Sequence, residues 1–269
     1  MWESIGIDWD SGGWLAVGIT DGEIQGAAVY DDIGVLWDER GETARRILID
    51  VPIGLCDGVD TDRHDDFRID DGDPDKISRI CDRLARSLLG GRSSSVFPCP
   101  CRSAARLAAA DMPHSDISAE NRRRTGKGLS IQSANISAGI HRIDRLLTEG
   151  PADPDCLLEG HPELCFRAFA DKPLQHAKLC AGGIDERLTL MEQFPEYEHG
   201  DWRRLARQLA DDYDGRTGID DLIDATALAI TAAAPDEDFH SLPADPPRDA
   251  KGVPMQMLYR RRRPFDVAW

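Results

Sequence analysis

The distribution of apolar and polar residues predicts three short β-strands at the start of the chain. Apolar-rich runs cover residues 4–9, 14–19 and 24–30. Asp21 and Gly22 separate the last two runs, and both residue types tolerate the positive φ angles of a tight hairpin. We therefore expect three consecutive antiparallel strands.

The following segment predicts a helix and then a buried strand. Residues 33–45 are compatible with a helix, and residues 46–51 contain a continuous apolar run that Pro52 stops. Three antiparallel strands, a helix and a fourth strand are the order in which a ribonuclease-H-like sheet begins, with the fourth strand parallel to the first. We therefore expect an α/β fold with a ribonuclease-H-like mixed sheet flanked by helices.

The rest of the chain is predicted to be mainly helical. Helical spacing covers residues 75–89, 102–110, 133–147, 184–194, 202–209 and 219–233, with strands at 156–158 and 255–259. Residues 56–75 are rich in Asp and Gly and predict an exposed, mobile loop. We expect a single domain over residues 1–269, with a largely helical insertion at about 56–150 and an irregular tail at about 235–269.

Carboxylates end two of the predicted strands, Asp8 the first and Asp50 the fourth. If these strands are parallel neighbours, their ends lie about 5 Å apart. Two carboxylates at that separation repel each other unless a cation lies between them. Open α/β sheets bind ligands at this edge. Taken singly, each acid also suits a turn that ends a strand.

The last predicted helix and the fifth strand add further acids. Asp221 and Asp224 are three residues apart and share one helix face. Asp224 lies among apolar residues, where an unpaired acid is costly to bury. Asp220 and Asp221 also suit a first helical turn because of the helix dipole. Glu163 follows the fifth strand in a His-Pro-Glu turn, and Glu159 is the alternative acid at that edge.

These residue types predict a site for Mg²⁺ or Mn²⁺, because hard oxygen ligands without a His/Cys cluster favour those ions. The expected metal ligands are Asp8, Asp50, Asp221 and Asp224, and Glu163 completes the expected catalytic set. Two such ions stabilise the attacking and leaving oxygens of a phosphoryl displacement. The site therefore favours a metal-dependent nuclease that hydrolyses phosphodiester bonds of DNA or RNA.

Basic residues cluster in two places. Arg122, Arg123, Arg124 and Lys127 are predicted to form a positive loop that binds the substrate backbone. The alternative is a solvated loop neutralised by neighbouring acids, and the Gly-Lys-Ser/Thr order of a phosphate-binding loop is missing. The second run, residues 260–263, lies in the tail and is expected to be solvated.

The composition of the chain bears on whether nucleic acid can be its partner. The chain has 49 acids, 32 Lys and Arg residues and a net charge of −17, with only five lysines. Such a surface is typical of salt-adapted proteins, and molar salt screens the repulsion between this charge and nucleic acid. The alternative is an acidic protein that avoids nucleic acid, because phosphate binding depends on positive charge. Seven cysteines without a regular framework predict reduced thiols and a cytoplasmic location. No apolar run has the length of a membrane span, so no membrane partner is expected.

Motifs spread along the chain resemble one family, domain of unknown function 429, whose members are predicted ribonuclease-H-like nucleases. The matching segments are residues 6–8, 13–14, 49–55, 92–98, 125–132, 161–163 and 220–225. Where the family commonly has Pro-x-Pro, this chain has Cys99-Pro100-Cys101.

The resemblance implies roles for the acids. By resemblance, the acidic positions of the family fall on Asp8, Asp50, Glu163, Asp221 and Asp224. The Asp-x-x-Asp-Ala helix is also similar to the last helix of Holliday-junction resolvases, in which both acids serve the metal site.

Two other functions remain open. One is a nucleotide-binding phosphotransferase of the actin/sugar-kinase type, which shares the opening strands. Its usual late glycine pair has no counterpart after Ile219. The other is a catalytically silent binding module, in which the acids hold a structural ion or none.

Overall fold

In the computed structural model, the structure describes residues 1–10, 13–56, 78–170, 172–213 and 217–267. The strands are β1 Ser4–Asp10, β2 Gly13–Thr20, β3 Glu23–Tyr30, β4 Arg46–Ile49, β5 Leu157–Glu159, β6 Phe239–Leu242 and β7 Met257–Arg260. The α-helices are α1 Ile33–Leu36, α2 Ile80–Leu89, α3 Arg102–Ala109, α4 His114–Thr125, α5 Ile131–Thr148, α6 Pro162–Phe169, α7 Ala181–Met191, α8 Asp201–Asp212 and α9 Ile219–Ala232. A π-turn covers Trp37–Gly41, and 3₁₀ turns cover Gly90–Ser95 and Asp236–Asp238. The expected α/β architecture is confirmed.

The main sheet has five strands in the order β3-β2-β1-β4-β5. β1, β2 and β3 are antiparallel, whereas β4 is parallel to β1 and β5 is parallel to β4. Asp21 and Gly22 have φ angles of +52° and +74°, which the hairpin between β2 and β3 requires. The predicted antiparallel strands and the parallel pairing of the first and fourth strands are therefore confirmed.

Several predicted elements need correction. The helix expected over residues 33–45 consists of the single turn α1 and the π-turn after it. α4, α6 and β6 were not expected, and α4 contains the segment predicted as a basic loop. Most of the loop predicted over residues 56–75, and the start of the helix predicted from residue 75, lie outside the described residues.

The chain divides into two compact units. The sheet unit comprises residues 1–50, 155–240 and 258–265, and its core is formed by the sheet with α6, α7, α8 and α9. The helical unit comprises residues 51–154, 241–257 and 266–269 and contains α2 to α5. In the helical unit, Arg102 binds Asp144 at 2.8 Å and Asp249 at 2.6 Å. No helix within the described ranges is long and apolar enough to cross a membrane.

Candidate active site

Asp8 and Asp50 lie at the same edge of the main sheet. β1 and β4 are parallel, with Ile7 opposite Ile49, and the Asp50 N–H donates to the Ile7 carbonyl at 3.0 Å. Adjacent strands are separated by about 4.8 Å. Asp50 therefore directly follows β4, as the sequence predicts, whereas Asp8 lies within β1, two residues before the strand ends at Asp10. Both acids are at the carboxyl-end edge of neighbouring parallel strands.

A glycine brings the last helix onto the same strand. A Cβ atom on Gly6 would lie 2.1 Å from the Ala225 carbonyl oxygen and 2.2 Å from the Ala229 nitrogen, so only glycine permits this approach of α9 to β1. Gly6 and Asp8 are two residues apart and share one face of the sheet. Asp224, next to Ala225 in α9, is therefore carried to the side of the sheet that Asp8 faces.

The acids from β1, β4 and α9 influence one another electrostatically. Burial raises the pKa of Asp8 well above its usual range, and the charges of Asp50 and Asp224 raise it further. Burial raises the pKa of Asp50 to about 7, an effect that Lys178 opposes and Glu163 increases. Burial raises the pKa of Asp224 to about 6, again opposed by Lys178. These acids are held together against their own repulsion.

Lys178, in the segment before α7, supplies a cation to this cluster. Its Nζ lies 3.0 Å from Asp224 Oδ2 and 3.2 Å from Asp220 Oδ2. Although burial lowers the pKa of the Lys178 ammonium, the charges of Asp224 and Asp220 raise it above its usual range. This residue was not predicted from the sequence. Its scarcity, as one of five lysines, is the only signal that the sequence offers.

Glu163 enters the site through the first turn of α6, where a buried ion pair holds it. The guanidinium of Arg187, which is 1 % exposed, donates to Glu163 Oε1. Glu163 is the acid after β5 whose charge raises the pKa of Asp50. Glu159, the alternative, is buried as the last residue of β5. Arg187 lies in α7 and was not expected at this site.

Asp221 belongs to the same electrostatic cluster. It lies in the first turn of α9, and its negative charge raises the pKa of both Asp8 and Asp50. The structure therefore brings the five predicted acids, Asp8, Asp50, Glu163, Asp221 and Asp224, to one region of the sheet unit.

The donor set fits a hard divalent cation in chemistry and charge. Crowded carboxylates with raised pKa values are stabilised by a nearby cation, and oxygen ligands suit Mg²⁺ and Mn²⁺. Among the described residues, however, no three His, Cys, Asp or Glu side chains are already arranged as a coordination sphere. Lys178 instead binds Asp224 and the neighbouring Asp220. A metal would therefore have to displace its ammonium from Asp224.

The basic residues predicted to bind substrate lie in the helical unit, and the expected loop there is wrong. Arg122, Arg123 and Arg124 form the last turn of α4, which Gly126 ends with φ +75°. Basic residues are favoured at that end by the helix dipole. Arg123 and Arg124 bind Glu120 at 2.7 and 3.2 Å.

Lys127 follows the capping glycine, and its backbone carbonyl accepts from Asn121 at 2.8 Å. The hydrogen bonds from Arg123, Ser103 and Arg124 lower the pKa of Glu120 to about 2. An acid therefore neutralises part of this basic cluster, as the alternative interpretation expected.

Comparison with known proteins identifies the family. No curated protein and no solved structure matches the chain. One family model matches residues 6–248, and its description is protein of unknown function (DUF429). The match covers most of the chain and includes β1, β4 and α9, which carry the acids. This chain therefore belongs to the DUF429 family, which its sequence motifs resemble.

Proposed function

We propose that this chain is a divalent-metal-dependent nuclease of the ribonuclease-H-like fold that hydrolyses phosphodiester bonds of DNA or RNA. The observation that carries the proposal is the convergence of acids at one sheet edge: the buried Asp8 of β1 and Asp224 of α9, and the half-buried Asp50 that follows β4. The strand order β3-β2-β1-β4-β5 supports it, because this is the order expected of a ribonuclease-H-like sheet.

The residues that would hold Mg²⁺ or Mn²⁺ are Asp8, Asp50, Asp221 and Asp224. When bound, such ions activate water and neutralise charge on phosphoryl oxygens. Arg187 and Glu163 support these ligands. Arg187 fixes the orientation of Glu163, whose charge acts on Asp50.

We further propose that Arg122, Arg123, Arg124 and Lys127 contact the substrate backbone. Their charge and reach suit phosphate, and nothing in the segment has base-specific geometry. Because Arg123 and Arg124 are bound to Glu120, their contribution requires an exchange of that carboxylate for phosphate. Changing the three arginines to alanine should weaken binding about equally across sequences and leave metal affinity intact.

Cleavage assays test the proposal directly. Branched, duplex and single-stranded DNA and RNA are incubated with Mn²⁺ at high KCl. The proteins compared are the wild type, Asp224→Asn and Asp211→Asn, which removes an exposed acid of α8. We expect Asp224→Asn to lose at least about a hundredfold in rate, or about 2.7 kcal/mol, while Asp211→Asn cleaves normally.

Other outcomes identify the competing functions. Thermal stabilisation by ATP rather than by metal alone would support the phosphotransferase alternative. Metal binding without cleavage of any substrate would leave a binding module. Cleavage by Asp224→Asn at the wild-type rate would contradict the assignment of the acidic cluster as the active site.

A further inference from the structure

The sheet unit contains a second polar feature, a basic cleft outside the acidic cluster. It has a volume of about 590 Å³, and its lining includes Arg261, Arg262, Arg263, Phe169 and Phe194. We call this feature the arginine cleft. Its arginines come from the segment that follows β7, and its aromatic rings come from the end of α6 and the segment after α7.

The arginines of this segment divide into anchoring and available side chains. Arg260 is buried, binds Glu196 at 3.0 Å and donates to the Ile230 carbonyl at 3.0 Å. Arg261 lies over the Phe265 ring at 4.9 Å. The hydrogen bond from Arg260 to Ile230 connects the segment to α9.

Arg262 and Arg263 differ from their neighbours. Both are exposed, and within the described ranges neither side chain makes an ion pair. Asp238, which also lines the cleft, contributes its carbonyl oxygen to the backbone N–H of Arg261 at 2.8 Å. The lining therefore contains one acid and four arginines, Arg260 to Arg263, of which Arg260 is already bound to Glu196, so the local charge is positive.

This positive charge contrasts with the rest of the molecule. The chain carries a net charge of −17, and Arg123 and Arg124 of α4 are already bound to an acid. A polyanion is repelled by most of such a surface, so it is held where unpaired guanidinium groups lie together. Guanidinium groups bind phosphate oxygens through paired N–H donors.

The position of the arginine cleft relates it to the acidic cluster. Phe169, which lines the cleft, lies six residues after Glu163 along α6. Asp238, which also lines it, lies beyond the C-terminal end of α9, whereas Asp224 lies in the second turn of that helix. Six residues of helix correspond to about 9 Å. The cleft and the acidic cluster are therefore separate, and a strand that reaches both would span several nucleotides, which are about 3.4 Å apart in duplex geometry.

We propose that the arginine cleft binds the phosphodiester backbone of a nucleic acid a few nucleotides away from the acidic cluster. The proposal rests on the proposed nuclease function, and it assigns a substrate contact to Arg262 and Arg263. These side chains bind phosphate without reading bases, so binding at the cleft is independent of sequence.

Binding without catalysis tests this inference separately from cleavage. Fluorescence anisotropy of labelled single-stranded and duplex oligonucleotides is measured in EDTA over a series of KCl concentrations. The test variant is Arg262→Ala/Arg263→Ala. The control is Arg203→Ala/Arg207→Ala, which removes the same charge from exposed positions of α8. Melting curves in the same buffers check folding, and the single variant Arg262→Ala replaces the double one if that fails to fold.

We expect the cleft variant to bind at least about tenfold more weakly than the wild type and the control. For single strands, loss of two phosphate contacts lowers the slope of log affinity against log salt by about 1.4. Arg262→Lys/Arg263→Lys, which keeps the charge, should retain most of that slope.

Three results would overturn the inference. They are unchanged binding by the cleft variant, equal weakening by the control variant, and equal competition by poly-glutamate at the same charge. The last result would identify a general anion site that suits acidic proteins. Binding at the cleft without cleavage of any substrate in Mn²⁺ would instead remove the nuclease proposal alone.

Discussion

At the scale of single residues, Lys178 is central to the candidate site. Asp224 is 5 % exposed and lies against other acids, so its ionised form needs a positive partner. The ammonium of Lys178 supplies that charge from a flexible side chain, itself 39 % exposed. Because the Lys178 side chain is partly exposed, it can move away from Asp224 when a divalent cation binds there.

Replacing Lys178 should therefore separate its stabilisation of Asp224 from its competition with a bound metal ion. We expect Lys178→Met to lower the melting temperature in EDTA, because Asp224 loses its partner. We also expect it to bind Mn²⁺ about tenfold more tightly, or about 1.4 kcal/mol, because no ammonium competes with the metal. Isothermal titration calorimetry measures the affinity. Lys172→Met, a change at an exposed position of the same segment, is the control and should do neither. Weaker metal binding by Lys178→Met would contradict this account.

The raised pKa values also predict a pH dependence. In the folded state Asp50 and Asp224 have pKa values of about 7 and about 6, above the unfolded value near 3.9. The folded protein therefore binds more protons, and its stability is lost as pH rises through 6 and 7. We expect the free energy of unfolding in EDTA to fall between pH 5 and pH 8.

Asp8→Asn separates the pH dependence caused by the crowded acids from the effect of the charge on the whole surface. It removes one crowded charge, so we expect higher stability than the wild type at pH 8 in EDTA, little difference at pH 4, and loss of Mn²⁺ binding. Asp211→Asn controls for the loss of one exposed charge. A variant that is clearly less stable than the wild type in EDTA would assign Asp8 a structural role.

At the scale of elements, the contact between β1 and α9 positions the acids. It depends on Gly6, where the nearest atoms to an added Cβ belong to the backbone of α9 and have no room to move. At the other end of the sheet, Arg46 of β4 donates to the Ala234 carbonyl at 2.6 Å, just beyond α9. The helix is therefore held to the sheet at its middle and just beyond its C-terminal end.

Gly6→Ala should separate β1 from α9. We expect a loss of at least about 3 kcal/mol in the free energy of unfolding, because the backbone must shift to admit the methyl group. Gly91→Ala is the matched control, since its Cβ would meet nothing within 4 Å, and we expect a change below about 0.5 kcal/mol. Urea unfolding measures both. Near-native stability of Gly6→Ala would show that α9 is less closely packed than described.

The sequence predicts these elements to different extents. Apolar-rich runs and the Asp21-Gly22 turn identified β1 to β3, and the apolar run at residues 47–49 identified β4. α4 was missed because it lacks an apolar stripe, with Ile117 as its only buried aliphatic side chain. Its polar residues are satisfied by one another, as in the bonds from Asn121 to Thr125 and Lys127.

The residues of the candidate site also differ in how well the sequence predicts them. The acids were predictable because they lie close to the ends of strands or interrupt an apolar helix, and such positions are visible in one segment at a time. Lys178 and Arg187 were not predictable, because their partners, Asp224 and Glu163, lie 46 and 24 residues away along the chain. Only the packing of α7 and the segment before it against α6 and α9 brings these charges to the acids.

At the scale of the whole molecule, negative charge dominates the surface. The 49 acids face only 32 Lys and Arg residues, and self-repulsion of this size destabilises a compact state in dilute buffer. At 1 M salt the screening length falls to about 3 Å, which removes most of the repulsion between surface charges.

We therefore expect the protein to need roughly molar KCl to stay folded. The measurement is the melting temperature from dilute buffer to concentrated KCl, with sucrose as the control for exclusion effects that do not act through charge. The melting temperature should rise steeply with KCl and much less with sucrose. An unchanged value across the KCl series would contradict the interpretation of a salt-adapted surface.

The Gly6 contact also has a consequence for synthesis of the chain. Gly6 and Ala225 are about 220 residues apart, and ribosomes add about 5–20 residues per second, so β1 waits about 10–40 s for α9. Until then the sheet face that includes Leu15, Val17 and Leu48 lacks the helix that completes its core. A nascent chain released before α9 is translated would present this uncovered face to chaperones and proteases.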